Sequence, residues 1–263
     1  MRPRLRPGGS RLLILVAGSL LIASCSPAGD ATSDVEPTGP PAVQADVVER
    51  HAEQFDADVP ERPAGSQEEL AAATYINGHL QLAGYVVFLD GVPVRDLVRS
   101  TNVVARAPSG DTPAVVVTAP YDTSEEFPSD GLALGLFLEL ARALRVSGGL
   151  HEVSFVALGA EHVDLGGGNL GSRRAAQALL DDDTHPLIIS LGRIADGACV
   201  EIDGPEVPGS LVAPDEDPGC ESLPSSPDAP DVFGDAGFDH VTISGDPALI
   251  GEVLLDFLAP GSD

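Results

Sequence analysis

The sequence predicts an α/β fold, a three-layer sandwich with a mainly parallel central sheet. Three observations carry that prediction. Short apolar, β-branched runs at 103–107, 114–118, 153–158 and 187–191 are unbroken rather than alternating, as in strands covered on both faces. Helical stretches separate them, from about Gly131 to Arg145 and from Ser172 to Leu180. Strand and helix therefore alternate along the chain, which lays helices against both faces of a parallel sheet.

Taken in order, a first helix is expected from Val43 to Gln54. A second opens at Ser66-Gln67-Glu68-Glu69, where the serine and the third-following glutamate form a capping box, and ends before Gly84. Leu70, Ala73, Ile76, Leu80 and Leu82 keep a broad helical stripe, and Gly84-Tyr85 turns the chain into an extended run from Val86 to Leu89. His79 reads as a half-exposed surface residue of that helix. After the strands and helices named above, a last strand from Asp239 to Ser244 precedes a last helix from Pro247 to Leu258. Asp181-Asp182-Asp183 reads most simply as a solvated turn after a helix, with a calcium site as the alternative. Sites in parallel sheets gather at the carboxyl ends of strands, which here means 120–130 and 159–171.

The amino-terminal end has the pattern of a bacterial lipoprotein signal. Arg2, Arg4, Arg6 and Arg11 precede an apolar run from Leu12 to Ile22, and Leu21-Ile22-Ala23-Ser24 leads into Cys25. The apolar run is too short for an ordinary spanning helix. Cys25 is expected to carry diacylglycerol as the first mature residue, holding the protein at the cell membrane on its extracytoplasmic face. The alternative is an uncleaved anchor helix with an incidental cysteine. Residues 25–42, rich in Pro, Gly, Ser and Asp, form a flexible tether, and 43–263 make one domain.

Charge narrows the partners. The chain has 14 basic and 41 acidic residues, and every basic one is Arg. Without residues 1–24 ten basic residues face the same 41 acids, a net charge of −31, so nucleic acid and anionic membrane surfaces are not expected partners. With Cys25 acylated, Cys199 and Cys220 are expected to pair as a disulfide in an oxidising compartment, worth about 3 kcal/mol by loop entropy. No CxxC or HxxxH accompanies them to suggest a zinc site.

Several segments carry a family resemblance. Val115 to Thr123 resembles the strand and "AHYDS" turn of the co-catalytic zinc aminopeptidases, a family that includes bacterial leucyl aminopeptidase, glutamate carboxypeptidase and the transferrin receptor ectodomain. Asp130 to Gly135 with Leu138 to Arg142 resembles the family's "DDNASG...LELAR", Val153 to His162 its "VxFVAFGAEE", and Leu170-Gly171-Ser172 its "GLxGS". Glu61 to Ser66 and the helix after it resemble the opening segment. The likeness spans 43–258 and is closest up to Ser172.

In that family two zinc ions share a bridging aspartate, each also taking a histidine and a further carboxylate. The resemblance therefore implies a zinc-exopeptidase-like fold, with Asp130 as the bridging metal ligand, Glu161 as general base and Asp122 as the residue orienting the first histidine. His162 stands where a glutamate ligand is usual. Other ligand positions fall on Pro120, Gly192 and Pro230, none of which has a side-chain donor. No cofactor is expected, and zinc only if the protein is active. The resulting expectation is a lipid-anchored, catalytically inactive protein of this fold that binds a peptide, another ligand or a protein partner. A rival is an active metalloaminopeptidase in which His240, His185 or Asp231 joins Asp130 and His162. A nucleophilic hydrolase has less behind it: Ser172 and Ser190 lack a GxSxG elbow, and spacing assigns no histidine a partner carboxylate.

Overall fold

The computed structural model describes residues 38–127, 130–148, 152–163, 168–214, 219–223 and 231–258. The signal-like segment, Cys25, most of the tether and Pro230 lie outside the described residues. The elements are α1 (Ala45–Asp58), α2 (Gln67–Leu82), β1 (Val86–Arg95), β2 (Val98–Arg106), β3 (Val115–Pro120), α3 (Gly131–Val146), β4 (Val153–Leu158), α4 (Leu170–Asp181), β5 (Leu187–Ile194), β6 (Glu201–Asp203), α5 (Val232–Asp235), β7 (His240–Gly245) and α6 (Pro247–Leu258).

A seven-stranded sheet in the order β1-β2-β4-β3-β5-β7-β6 divides the domain. Its middle, β4-β3-β5-β7, is parallel, and the antiparallel β1-β2 hairpin and β6 flank it. One face packs on α1, α2, α3 and α6 through residues such as Phe137, Phe155, Ile189 and Val241. The other packs on α4 and α5 through Val116, Val156, Ile188, Leu179 and Phe233. Neighbouring residues of β3 and β5 thus bury on opposite sides, which is why these strands read as continuous apolar runs.

Local signals decide where the helices start. Ser66 Oγ accepts the Glu69 backbone N–H at 2.9 Å, but the capping box is only half made. The Glu69 carboxylate turns to the Gly65 N–H and the Ser100 hydroxyl instead. Asp130 caps α3, its Oδ1 accepting from Ala133 N at 3.0 Å. At the entry to the domain Arg142 donates to the carbonyls of Thr38, Pro40 and Ala42 while paired with buried Glu139, which ties this segment to α3.

Four features depart from the sequence reading. α1 runs on to Asp58, because Phe55 is buried against the core. The run after Gly84 is the first strand of a long hairpin that turns at Asp96, with a positive φ of 43°. Gly91 and Pro93 hide that strand in the sequence, and most of its side chains are exposed or half-buried. The short β6 and α5 lie in the Pro- and Gly-rich region where no pattern was legible. Cys199 and Cys220 are disulfide-bonded, as expected, 21 residues apart in sequence. Among the described residues no helix is long and apolar enough to cross a membrane.

Candidate functional site

On the α4 and α5 side of the sheet, over the carboxyl ends of β3 and β4, the middle of β5 and the start of β7, the surface opens into a cleft of about 360 Å³. Its walls include Pro120, Leu158, Glu161, His162, Ser190 and His240. Strand register produces this surface. Thr118 pairs with Ser190 and Ser190 with Thr242, so three hydroxyl side chains stand in one row on the same face.

The turn after β3 is held from below. Arg62, 1% exposed, donates from Nε to the Tyr121 carbonyl at 2.6 Å and from its backbone N–H to Thr123 Oγ1 at 2.6 Å. Burial pulls its guanidinium below the ordinary range, with Asp56 and Asp122 opposing. Asp122 is then fixed with its side chain fully buried, and its two carboxylate oxygens accept the backbone N–H groups of Glu161 and His162, each at 2.9 Å. By resemblance Asp122 orients a first histidine, but Pro120 stands in that histidine's place. The structure corrects this: Asp122 organises the turn after β4, where Ala160 takes a positive φ of 57°, a conformation costing a non-glycine residue about 1 kcal/mol.

That turn presents Glu161 and His162. Glu161 Oε1 accepts from Ser172 N at 2.7 Å, and Oε2 lies 2.6 Å from Ser172 Oγ, so the carboxylate caps the first turn of α4. Burial pushes its carboxyl up to about 7. The His162 ring stacks on Phe127 with centroids 4.8 Å apart, and its Nδ1 lies 3.1 Å from the Asp122 carbonyl. Burial pulls this imidazole down, but the hydrogen bond to Asp122 and its charge outweigh burial and hold it above the ordinary histidine range. Asn102 was not legible in the sequence. Wholly buried, it receives Gly159 N and donates to the Gly171 carbonyl, clamping the β4 turn to α4.

Asp130 stands apart from this group. It does not line the cleft; Oδ1 caps α3 and Oδ2 accepts from Ile194 N at 3.5 Å, and burial raises its carboxyl. At Gly192, another aligned ligand position, a side chain is sterically opposed, because a Cβ there would press on Ser244 Oγ and stand 2.9 Å from Thr242 Cγ2. Pro120 contributes an apolar wall. A co-catalytic zinc pair therefore does not fit these residues: two positions lack donors, and the carboxylates of Asp122, Asp130 and Glu161 are committed to backbone and hydroxyl donors. Among the described residues no three His, Cys, Asp or Glu side chains converge as a metal site requires. The rescue donors do not join Asp130 either, since His185 lies against Phe238 and His240 turns to other partners.

His240 corrects the reading that no histidine has a carboxylate partner. Its Nδ1 lies 2.6 Å from Asp231 Oδ1, and its Nε2 lies 2.9 Å from Ser190 Oγ. Asp231 caps the short α5 and His240 begins β7, nine residues on. The hint in the sequence was an acid before a short turn followed by a histidine at a strand start. Only the fold brings Ser190 to the pair.

The parallel sheet, its helical layers and the site at the carboxyl ends of β3 and β4 define the zinc-exopeptidase-like fold. Three solved structures share it: the Fimbriiglobus ruber glutaminyl cyclase (TM-score 0.62, 17% identity, covering 84% of this chain and 96% of that one); a candidate Zn-dependent exopeptidase from Bacteroides vulgatus (0.64, 15%, 86% and 100%); and an Acidobacteriales bacterium glutaminyl cyclase (0.61, 16%, 83% and 94%). The sequence matches no protein-family model and no curated protein.

Proposed function

We propose that this chain is a lipid-anchored, extracytoplasmic protein that uses the zinc-exopeptidase-like fold as a binding scaffold and does not hydrolyse peptides by the zinc mechanism. The observation that carries the reading is the commitment of the inherited acids: Asp122 to two backbone N–H groups, Glu161 to Ser172 and Asp130 to the α3 cap. Freeing any of them for a cation would leave buried donors unpaired, at about 1–3 kcal/mol each. The cleft is large enough for a small molecule or the end of a peptide. Its ligand is uncharged or cationic, because Glu161, Asp203 and Asp231 face it and, among the described residues, no arginine does.

The test is metal content and peptidase activity of the purified full-length protein. After dialysis against zinc it is expected to retain no stoichiometric metal and to release no amino acid from aminoacyl reporters. Turnover dependent on zinc, cobalt or manganese, and lost in both Glu161→Gln and Asp130→Asn, overturns the reading. The anchor is tested separately: Cys25→Ala is expected to abolish lipid labelling and membrane attachment, and unchanged attachment counts against it.

A further inference from the structure

We propose that Asp231, His240 and Ser190 form a metal-independent acyl-transfer site that hydrolyses a small carboxylic ester, uncharged or cationic, bound in the cleft. The proposal rests on the reading of the cleft as a ligand site and adds the chemistry done there.

The three residues form one hydrogen-bonded line. Asp231 Oδ1 lies 2.6 Å from His240 Nδ1, His240 Nε2 lies 2.9 Å from Ser190 Oγ, and Ser190 Oγ lies 2.8 Å from Thr118 Oγ1. With Nδ1–H donating to the Asp231 carboxylate, Nε2 keeps its lone pair for the Ser190 proton. Thr118 then donates to Ser190 in the resting site. These are the distances at which a nucleophile, a base and its orienting acid act together.

Each member is positioned by a different element. Ser190 is central in β5, between Thr118 of β3 and Thr242 of β7. His240 pairs with Ile188, one step diagonal to Ser190 on the same face, so sheet register alone puts the imidazole within reach of the hydroxyl. Asp231 is held by the Gly234 N–H at 2.8 Å, and the His240 ring lies beside Phe233 with centroids 5.6 Å apart. The line is open to the cleft rather than sealed in the core: the His240 side chain is 14% exposed and that of Asp231 44%. Ser190, His240 and Asp231 all line the cleft, as does Thr118.

In the first step Ser190 Oγ attacks the ester carbonyl carbon, and its proton passes to His240 Nε2, forming an imidazolium paired with Asp231. The adduct collapses with cleavage of the ester C–O bond, and His240 returns the proton to the departing alkoxide as alcohol. Water attacks the acyl-Ser190 carbonyl and gives its proton to His240. Ser190 Oγ leaves and takes that proton back, so ester and water yield acid and alcohol with the site restored. Thr118 Oγ1–H, 2.8 Å from Ser190 Oγ, is assigned the developing oxyanion and leaves Ser190 as it turns to it. An alcohol leaves more readily than an amine, so an ester asks least of this single-hydroxyl support. Pro120, Leu158, Val232 and Phe233 supply apolar walls for the acyl group.

The experiment treats the full-length protein with a small uncharged alkyl fluorophosphonate in the presence of EDTA and reads intact mass and peptide maps. One adduct on Ser190 is expected. It should be absent in Ser190→Ala and form at least about 100-fold more slowly in His240→Gln. Asp231→Asn should lower kcat for a p-nitrophenyl ester by at least about tenfold with KM little changed, which a merely structural role for the carboxylate would not do. No adduct on Ser190 in protein whose circular dichroism and melting temperature are those of the folded state overturns the proposal. So does an adduct that forms equally fast in folded His240→Gln. Neither result bears on metal-dependent peptidase turnover, so failure here and failure of the binding reading are distinguishable.

Discussion

Glu69 lies on α2, 3% exposed, with its carboxylate shared between the Ser100 hydroxyl and the Gly65 backbone N–H. Burial pushes its carboxyl from an ordinary value near 4.5 up to about 7, against the lowering effect of those hydrogen bonds. The folded protein therefore keeps a proton that the unfolded chain releases between these two values. The stability this contributes is complete below about 4.5 and is lost as pH rises through 7. Glu69→Gln keeps the side-chain shape and removes the titration. Relative to wild type it is expected to gain up to about 3 kcal/mol between pH 4.5 and 8, read from urea midpoints at several pH values. A difference that does not vary with pH would refute this account of the buried proton.

At the scale of elements, the carboxyl end of β5 decides what the site can hold. β5 and β7 run so close at Gly192 that a Cβ there meets Ser244 Oγ and Thr242 Cγ2, and Ser244 Oγ also accepts the Arg193 backbone N–H at 3.2 Å. Replacing the glycine with the aspartate usual in the resembling family therefore disturbs the strand before it offers a ligand. Gly192→Asp is expected to cost about 1–3 kcal/mol and to leave zinc binding unchanged. Thermal melts and calorimetric zinc titration check the two parts, and zinc bound stoichiometrically with unaltered stability would show that the strand tolerates the ligand. The β4 turn is held as tightly. Asn102 and Asp122 reach it from β2 and from the turn after β3, so Glu161 and His162 are placed by elements distant in sequence.

For the whole molecule, the region between β5 and β7 has few regular elements and depends on cross-links. Cys199 and Cys220 close a separation of 21 residues, Cys199 N donates to the Glu221 carbonyl at 3.0 Å, and Leu211 inside the loop is 2% exposed. Replacing both cysteines by serine is expected to lower stability by about 3 kcal/mol, chiefly by freeing the unfolded chain. Denaturation curves with and without reductant measure it, and wild type with the same midpoint in both conditions would contradict it. The same loop carries Gly204 and Pro205 to the cleft wall.

Local pattern was enough for the α/β class, for α2, α3, β4 and α6, for the disulfide and for the loss of donors at Pro120 and Gly192. These follow from residue type, hydrophobic period and short-range spacing, which a chain displays before it folds. Motif matching was also enough to single out Asp122, Asp130, Glu161 and His162. It could not say what their side chains touch. That Asp122 holds two backbone N–H groups, that Asp130 Oδ2 meets the Ile194 N–H, and that His162 lies on Phe127 are consequences of packing between segments distant in the chain. The line from Asp231 through His240 to Ser190 is the clearest case. Asp231 and His240 are near neighbours in the chain, but Ser190 lies 50 residues from His240, and no sequence period joins a residue central in one strand to the first residue of another. Only the register of β5 against β7 sets them on one face within 2.9 Å, because parallel pairing across a crossover is decided by the tertiary fold.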